Sequence, residues 1–284
     1  MRLGTRGSAL ALAQAREVAA ALGGAEVVTI TTSGDRDRAR GDKERWVREI
    51  DAALLRGDVD LAVHSAKDVP AKLADGIVIA AVPTRADPRD ALCGAAGLAD
   101  LAHGARVGTS SLRRAAQLRA LRGDLEILEL RGNVDTRLGR LAAGDYDAIV
   151  LARAGLDRLG RGAEATGSLD EMVPAAGQGT LAVTVRADDA DTHAAVARLT
   201  DAAAARCLAA ERALVRALEA DCHTPVGAHA TTDADGDLLL RVFVGAPDGS
   251  AWLRDDLRGA DPEDLGTDVA RRLQTAGADE VLGR

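Results

Sequence analysis

Short apolar runs rich in β-branched residues alternate along this chain with longer stretches of helical period. The predicted strands are 26–31, 59–64, 77–82, 125–130, 147–152 and 180–186, and the predicted helices are 8–22, 44–56, 111–122, 133–143 and 206–220. This alternation is typical of βαβ units, in which parallel strands are joined by helices that cover the sheet. We therefore predict an α/β protein with mainly parallel sheets.

The part of the chain after about residue 200 follows a different pattern. Predicted strands at 236–244 and 250–257 flank the turn sequence APDG, and an amphipathic helix is predicted near 264–276. Because a Pro-Asp-Gly turn between two apolar runs favours an antiparallel hairpin, we expect a small C-terminal α+β domain here.

Two segments predict connections between domains. Residues 83–90, PTRADPRD, carry two prolines and mixed charges, and residues 173–179, VPAAGQG, carry proline and glycine. They divide the chain into three predicted domains. Domain 1 comprises 1–83 and 178–199, domain 2 comprises 84–177, and domain 3 comprises 200–284.

The charge of the chain argues against nucleic acid as a partner. Its 284 residues carry 36 basic and 44 acidic side chains, a formal net charge of -8, and aromatic residues make up only 1%. Phosphate backbones require a basic surface, and single strands require aromatic stacking platforms. The three cysteines are too few and too far apart for a disulfide framework, and no apolar run is long enough to span a membrane. We expect a cytoplasmic protein with no membrane partner.

Arginine is concentrated at turns that open predicted helices. Lysine occurs only at positions 43, 67 and 72, so arginine supplies the other 33 basic residues. The sequences GTRGS at 4–8, GTSSLRR at 108–114 and RGNVDTR at 131–137 each combine glycine or hydroxyl residues with arginine. Helix N-termini bind anions, and in parallel sheets such turns meet at the carboxyl edge. These turns predict a ligand with several carboxylates or phosphates, although N-capping alone would also explain their hydroxyl residues.

The sequence VHSAKDVP at 63–70 places titratable groups directly after a predicted buried strand. Lys67 is a candidate for a Schiff base, for an anion contact, or for a simple pair with Asp68. Asp68 is a candidate for a general base or for the stabilisation of a developing positive charge.

Cys222 lies in ADCHTPVGAHA at 220–230, where a helix is predicted to end. It is a candidate nucleophile or covalent anchor, and the alternative is a small buried hydrophobic residue. Cys93 and Cys207 lie among alanine and leucine and are expected to be buried. A metal site at Cys222, His223 and His229 lacks a suitably spaced fourth ligand, so no metal is expected.

Nine motifs, in order and over almost the whole chain, resemble those of porphobilinogen deaminases, also called hydroxymethylbilane synthases. They are GTRGSALALAQA, VHSAKDVP, DPRDA, GTSSLRRAAQL, LRGNVDTRL, YDAIVLARAGLDRLG, PAAGQG, AERA and DCHTPVG. The resemblance implies a monomeric transferase of tetrapyrrole (porphyrin and haem) biosynthesis. Such an enzyme joins four porphobilinogen units head to tail, releases ammonia and yields hydroxymethylbilane. It also implies two periplasmic-binding-protein-like lobes and a third domain that carries the cofactor.

The resemblance assigns roles to individual residues. Cys222 is similar to the thioether anchor of a dipyrromethane cofactor, and Asp68 to the catalytic carboxylate that stabilises the positive azafulvene intermediate. The cofactor-binding set that it implies is Lys67, Ser110, Arg113, Arg114 and Arg131, and the substrate-binding set is Arg6, Ser8, Ser65, Thr109, Ser111, Arg137 and Arg158.

Two departures from the family pattern distinguish this chain. A short, charged segment at 34–45, GDRDRARGDKER, replaces the longer lid that is common in the family, and Asp221 precedes the anchor cysteine where glycine is common. The main alternative function is a non-catalytic polycarboxylate-binding protein on the same two-lobed scaffold, since a fold does not settle a function. Such a protein would explain the arginine turns but would not need Asp68 or Cys222.

Overall fold

The first lobe is built on a five-stranded sheet in the order β2-β1-β3-β10-β4. The computed structural model describes residues 1–33, 44–221 and 223–284, without the side chains at 44–46. Strand β1 pairs in parallel with β2 and β3, whereas β10 is antiparallel to β3 and β4, so four of the five strands share one direction. The strands are β1 (Arg2–Arg6), β2 (Glu26–Ile30), β3 (Leu61–Ser65), β4 (Ile77–Ala81) and β10 (Leu181–Arg186).

Three helices pack against this sheet because each has an apolar face. They are α1 (Ala9–Ala21), α2 (Glu44–Leu55) and α6 (Ala190–Ala197). Leu3, Leu61 and Val183 are fully buried between the sheet and its helices. The burial of such side chains supplies the main stabilisation of a layered fold.

The second lobe repeats this arrangement with strand order β7-β6-β8-β5-β9. Strand β6 is parallel to β7 and β8, and β5 is antiparallel to β8 and β9. The strands are β5 (Asp90–Cys93), β6 (Arg106–Gly108), β7 (Glu126–Leu128), β8 (Ala148–Ala152) and β9 (Gly167–Ser168), and the helices are α3 (Leu112–Leu121), α4 (Val134–Ala142) and α5 (Arg153–Arg158).

The C-terminal domain is a three-stranded antiparallel sheet in the order β11-β12-β13 with helices on one face. Alternate residues of β12, from Leu238 to Val244, are buried against the helices. The elements are α7 (Ala202–Ala217), β11 (Val226–Thr232), β12 (Leu238–Gly245), β13 (Trp252–Gly259), α8 (Pro262–Thr275) and α9 (Ala278–Leu282). The predicted fold class, two α/β lobes with mainly parallel strands and a small α+β domain, is confirmed.

Several element boundaries were predicted wrongly. The helix predicted at 206–220 begins at Ala202, because the Asp201 side chain accepts a hydrogen bond from the backbone N–H of Ala204 and caps it. It ends at Ala217, before Glu219, whose φ of 47° is incompatible with a continuing helix. Strands β1, β5, β6, β9 and β11 were not predicted, since they are short or contain glycine, alanine and polar residues, and their pairing is decided by neighbouring strands.

Candidate functional site

The arginine-bearing turns lie at the carboxyl ends of the parallel strands, as predicted. Ser8 caps α1 and accepts a hydrogen bond from the backbone N–H of Ala11 at 3.2 Å, and Ser111 caps α3 and accepts from Arg114 N at 3.4 Å. Asn133 caps α4 through a 2.8 Å bond from Thr136 N. Each cap satisfies one N–H of its helix, and further N–H groups at such an end can bind an anion.

A one-turn 3₁₀ helix, Ala66–Asp68, carries two of the predicted site residues directly after β3. The backbone N–H of Ala66 donates to Thr180 O at 2.9 Å, which fixes the start of the turn to β10. Lys67 Nζ donates to Gln178 Oε1 at 3.4 Å. Burial, followed by the nearby Arg114 guanidinium, lowers the pKa of Lys67 to about 8. Lys67 is therefore a cation at neutral pH that loses its charge unusually easily.

His64 precedes this turn on β3 and is buried, with Nε2 3.3 Å from Thr184 Oγ1. Burial lowers the pKa of His64 to about 4, an effect that Asp68 opposes and Arg6 reinforces. His64 is therefore neutral at pH 7. Arg6 ends β1 and Asp68 follows β3, and the charges of both predicted site residues act on His64.

Asp90, the first residue of β5 in the second lobe, lies at the centre of a buried ion-pair network. Arg113 Nη1 donates to Asp90 Oδ2 at 2.7 Å, and Arg114 Nε donates to Asp90 Oδ1 at 2.9 Å. Burial alone would raise the pKa of Asp90, but the two guanidinium groups hold it well below its usual range. Arg113 and Arg114 therefore compensate the charge of this buried carboxylate, a role that was not predicted from the sequence.

Gln178 connects the two lobes at this network. Its Nε2 donates to Asp90 Oδ1 at 2.9 Å and to Pro88 O at 2.7 Å, while its Oε1 accepts from Lys67. The preceding Gly177, with φ 73°, approaches the turn so closely that a Cβ there would lie 2.8 Å from the carbonyl carbon of Ala66. Only glycine fits this position.

Arg137 approaches from α4 and lies beside Ser110. Its Nη2 donates to Ser110 Oγ at 3.4 Å and its Nε donates to Gly132 O at 2.9 Å. Burial, with repulsion from Arg114 as the second cause, lowers the pKa of Arg137 to about 10. Arg131 is more exposed, and its Nε donates to Glu129 Oε1 at 2.6 Å.

Arg158 has a different environment from the other predicted arginines. Its Nε donates to Glu17 Oε2 at 2.9 Å, and its Nη2 donates to Gly179 O at 3.2 Å. Glu17 belongs to α1 of the first lobe and Arg158 to α5 of the second, so this side chain bridges the lobes. Only 9% of the Arg158 side chain is exposed.

Several of the predicted residues are connected between the two lobes. Lys67 shares Gln178 with Asp90, the partner of Arg113 and Arg114, and the charge of Arg114 acts on both Lys67 and Arg137. Thr109 is buried beside the α3 cap, where its Oγ1 accepts from Ser111 N, and Ser65 ends β3. Cys222 and residues 34–43 of the predicted charged loop lie outside the described residues.

Several residues that organise the site were not predicted. Asp90, Gln178 and Glu211 lie in the motifs DPRDA, PAAGQG and AERA, which carried the resemblance but received no role. For Gln178 the usable signal was a polar side chain among the small and apolar residues of PAAGQG, because a buried polar group requires a partner. The identity of each partner depends on the tertiary structure.

The arrangement is suited to hold a flexible polyanion between the lobes. Lys67 of the first lobe and Arg137 of the second supply half-buried cationic groups, and Asp68 adds a half-buried carboxylate beside Lys67 in the sequence. Within the described residues there is no group of three His, Cys, Asp or Glu side chains that could hold a metal ion. No helix in the described part of the chain is long and apolar enough to cross a membrane.

Comparisons with known proteins agree over both parts of the chain. Residues 1–194 match the family described as porphobilinogen deaminase, dipyromethane cofactor binding domain, and residues 205–275 match porphobilinogen deaminase, C-terminal domain. A porphobilinogen deaminase of Rubrobacter xylanophilus is 50% identical, with 99% of this chain and 96% of that protein aligned. One from Xanthomonas oryzae pv. oryzae is 48% identical over 99% and 98% of the two chains.

Solved structures similar to this chain include a periplasmic binding protein of Salmonella typhimurium with high arginine specificity. It is 12% identical, with a TM-score of 0.39, and the alignment covers 70% of this chain and 90% of that protein.

Proposed function

The chain belongs to the porphobilinogen deaminase family, and we propose that it condenses four porphobilinogen molecules head to tail, with release of ammonia, to linear hydroxymethylbilane. This reaction makes it a transferase of tetrapyrrole biosynthesis. Each pyrrole carries two carboxylates, so the growing chain accumulates negative charge. A protein with net charge -8 requires a local cationic cleft to hold such a product.

One observation carries this proposal. Lys67 and Arg137 lie half-buried on opposite lobes, and in the described part of the chain neither forms a salt bridge with a carboxylate. Burial lowers the pKa of both groups, and for Lys67 it outweighs the opposing effect of Asp68 and Asp90. An incoming carboxylate would supply a close countercharge to both groups.

The same donor set fits a dipyrromethane cofactor, because acetate and propionate groups are acceptors for lysine and arginine. In the proposal, Cys222 carries the cofactor as a thioether, and the dipyrromethane, when bound, supplies the pyrrole end to which substrate is joined. The residues that hold its carboxylates are Lys67, Ser110, Arg113, Arg114 and Arg131. Arg113 and Arg114 do so while they retain Asp90 as a shared partner.

Asp68 is the proposed catalytic residue. It lies in the turn fixed at Ala66, beside the charged Lys67 and neutral His64. Its carboxylate would accept hydrogen bonds from pyrrole N–H groups and stabilise positive charge that develops on the substrate. The residues proposed to bind substrate carboxylates are Arg6, Ser8, Ser65, Thr109, Ser111, Arg137 and Arg158.

We propose domain boundaries in keeping with this function: 1–83 with 178–199, 84–177, and 200–284. They are supported by the three sheets, because each sheet takes all its strands from one of these sets. We also propose that the protein acts as a monomer in the cytoplasm. A cleft built from two lobes of one chain needs no second subunit to complete it.

The intact mass of the denatured protein tests the proposal, with Cys222→Ser as the matched variant. A covalent cofactor survives unfolding, whereas a bound anion does not. We expect the wild-type mass to exceed the sequence mass by two linked pyrrole units, and Cys222→Ser to lack this excess. If the excess is missing even after incubation with porphobilinogen, the non-catalytic polycarboxylate-binding function is favoured instead.

A second variant tests the catalytic role. Asp68→Asn keeps the size of the side chain and removes its charge, so cofactor attachment should remain possible while hydroxymethylbilane formation nearly stops. Normal turnover in this variant would exclude Asp68 from the mechanism.

A further inference from the structure

Arg212, on helix α7 of the C-terminal domain, contacts the segment that follows Asp68 in the first lobe. Its Nη2 donates to Pro70 O at 2.9 Å and to Ala71 O at 3.0 Å. These carbonyls lie two and three residues after Asp68. The contact therefore joins the C-terminal domain to the backbone that carries the proposed catalytic carboxylate.

The same helix packs against the turn itself. Ala204 and Leu208 belong to one buried apolar cluster with Ala66 and Val69. Because Ala204, Leu208 and Arg212 are spaced four residues apart, they lie along one stripe of α7. This stripe runs beside the turn from its first residue to the segment after it.

The turn is thus held at both ends by different parts of the chain. Ala66 N donates to Thr180 O at its start, and Arg212 holds Pro70 O and Ala71 O after its end. Within the turn, Val69 N–H donates to Ala66 O at 3.2 Å. A single 3₁₀ turn has few internal backbone bonds, so contacts from outside contribute much of the support for a residue that must keep an exact position.

The hydrogen bonds of Arg212 indicate that its guanidinium holds the segment after Asp68 in place. In the described part of the chain it forms no salt bridge with a carboxylate, and both of its hydrogen bonds go to these carbonyls. Burial, followed by repulsion from Arg216, lowers the pKa of its guanidinium to about 10. By contrast Arg216, one turn further along α7, bonds Glu263 within its own domain.

We propose that Arg212 is a positioning residue for catalysis, which fixes Asp68 by holding the carbonyls of Pro70 and Ala71 from the C-terminal domain. This inference rests on the proposed function. Since α7 also precedes the segment with Cys222, one rigid helix links the catalytic turn to the chain that carries the cofactor anchor.

The test compares Arg212→Met, which retains the packing of the side-chain stem, with the control Arg216→Met on the same helix. Three quantities are measured: amide hydrogen exchange of the peptide 66–73, cofactor content by intact mass, and kcat and KM for porphobilinogen per cofactor-loaded molecule. Arg212→Lys, which can restore one of the two hydrogen bonds, is the conservative variant.

We expect Arg212→Met to exchange faster in 66–73, to load cofactor normally and to lose roughly ten- to a hundred-fold in kcat, because small displacements of catalytic groups have effects of this size. KM should change by less than about two-fold, since an interaction needed in the transition state is affected rather than uniform binding. Arg212→Lys should be intermediate, and Arg216→Met should match the wild type.

Unchanged exchange in 66–73, or unchanged kcat in loaded Arg212→Met, would overturn the positioning role. If Arg212→Met does not fold, Arg212→Lys against Arg216→Lys decides by the same two criteria. A wild-type protein that never converts porphobilinogen would overturn the proposed function and this role with it, whereas normal wild-type turnover with an unaffected variant would overturn this role alone.

Discussion

Arg85 Nη1 lies 2.6 Å from Oε1 of Glu211, and the Glu211 side chain is completely buried. Glu211 also accepts hydrogen bonds from the backbone N–H groups of Gly177 at 2.6 Å and Ala230 at 2.8 Å. Arg85 and Gly177 belong to the two crossings between the lobes, and Ala230 belongs to β11. One carboxylate therefore joins both crossings to the C-terminal domain.

Glu211→Gln should lower the free energy of unfolding by about 3–5 kcal/mol, the usual cost of breaking a buried ion pair. The amide cannot compensate the charge of Arg85, and its NH₂ group would face one of the backbone donors. Urea unfolding measures the effect, with Glu263→Gln as the control because Glu263 is exposed and pairs with Arg216. In that control the free energy of unfolding should fall by no more than about 1 kcal/mol. Equal losses in the two variants would contradict the central role of Glu211.

The stability of the protein should fall steeply in acid. Burial would raise the pKa values of Asp90 and Glu211, but their arginine partners lower both below the ordinary carboxyl values. A carboxylate whose pKa is lower in the folded than in the unfolded state stabilises the fold above the unfolded value, near 4. This stabilisation is lost as the pH falls through 4 towards the folded pKa.

Urea unfolding at pH 7, 5, 4 and 3 would show this dependence. In Asp90→Asn the free energy of unfolding should fall less between pH 7 and pH 3, because one of the two carboxyl groups no longer titrates. The free energy of unfolding of this variant at pH 7 should already be low. If the free energy of unfolding of this variant falls as steeply with pH as that of the wild type, Asp90 does not contribute to the acid dependence.

Binding of porphobilinogen should weaken as the pH rises through 8. Burial and then Arg114 lower the pKa of Lys67 to about 8, so the ammonium group loses its proton within an accessible range. Since a charge-assisted hydrogen bond contributes about 1.5–3 kcal/mol, its loss should raise KM by roughly ten-fold or more. Lys67→Arg is the control, because arginine stays charged, and titration of the substrate affects both proteins equally. Identical pH profiles for KM would exclude Lys67 as the titrating group.

Glu219→Gly should stabilise the protein. Glu219 follows α7 with φ 47°, a left-handed conformation that costs a residue with a Cβ about 1–2 kcal/mol and costs glycine much less. Part of the gain is offset by the greater freedom of glycine in the unfolded chain, so we expect a net increase of about 0.5–1 kcal/mol. Glu219→Ala retains the Cβ and should show no such gain in thermal unfolding. A gain of equal size in both variants would attribute it to the loss of the Glu219 carboxylate.

The local features of this protein were readable from its sequence. The period of the apolar residues predicted the six longest helices of the described residues and most strands, but not the shorter helices α5, α6 and α9. The turns before Ala9, Leu112 and Val134 were predicted as helix starts suited to anions. These features depend on residues within one or two helical turns, so the information is contiguous. The boundaries of α7 were missed because Asp201 and Glu219 act through specific cap and backbone geometry.

The partner of each arginine was decided only by the tertiary structure. The turn motifs predicted Arg113, Arg114 and Arg137 equally as cations for an anionic ligand. In the structure Asp90, more than twenty residues away, pairs with both Arg113 and Arg114, while Arg137 has no carboxylate partner in the described part of the chain. Equally, Arg212 has its effect on a loop some 140 residues earlier. The charge and helical period of a residue are local properties of the sequence, but its partner and its desolvation depend on which distant segments the fold brings within hydrogen-bond distance.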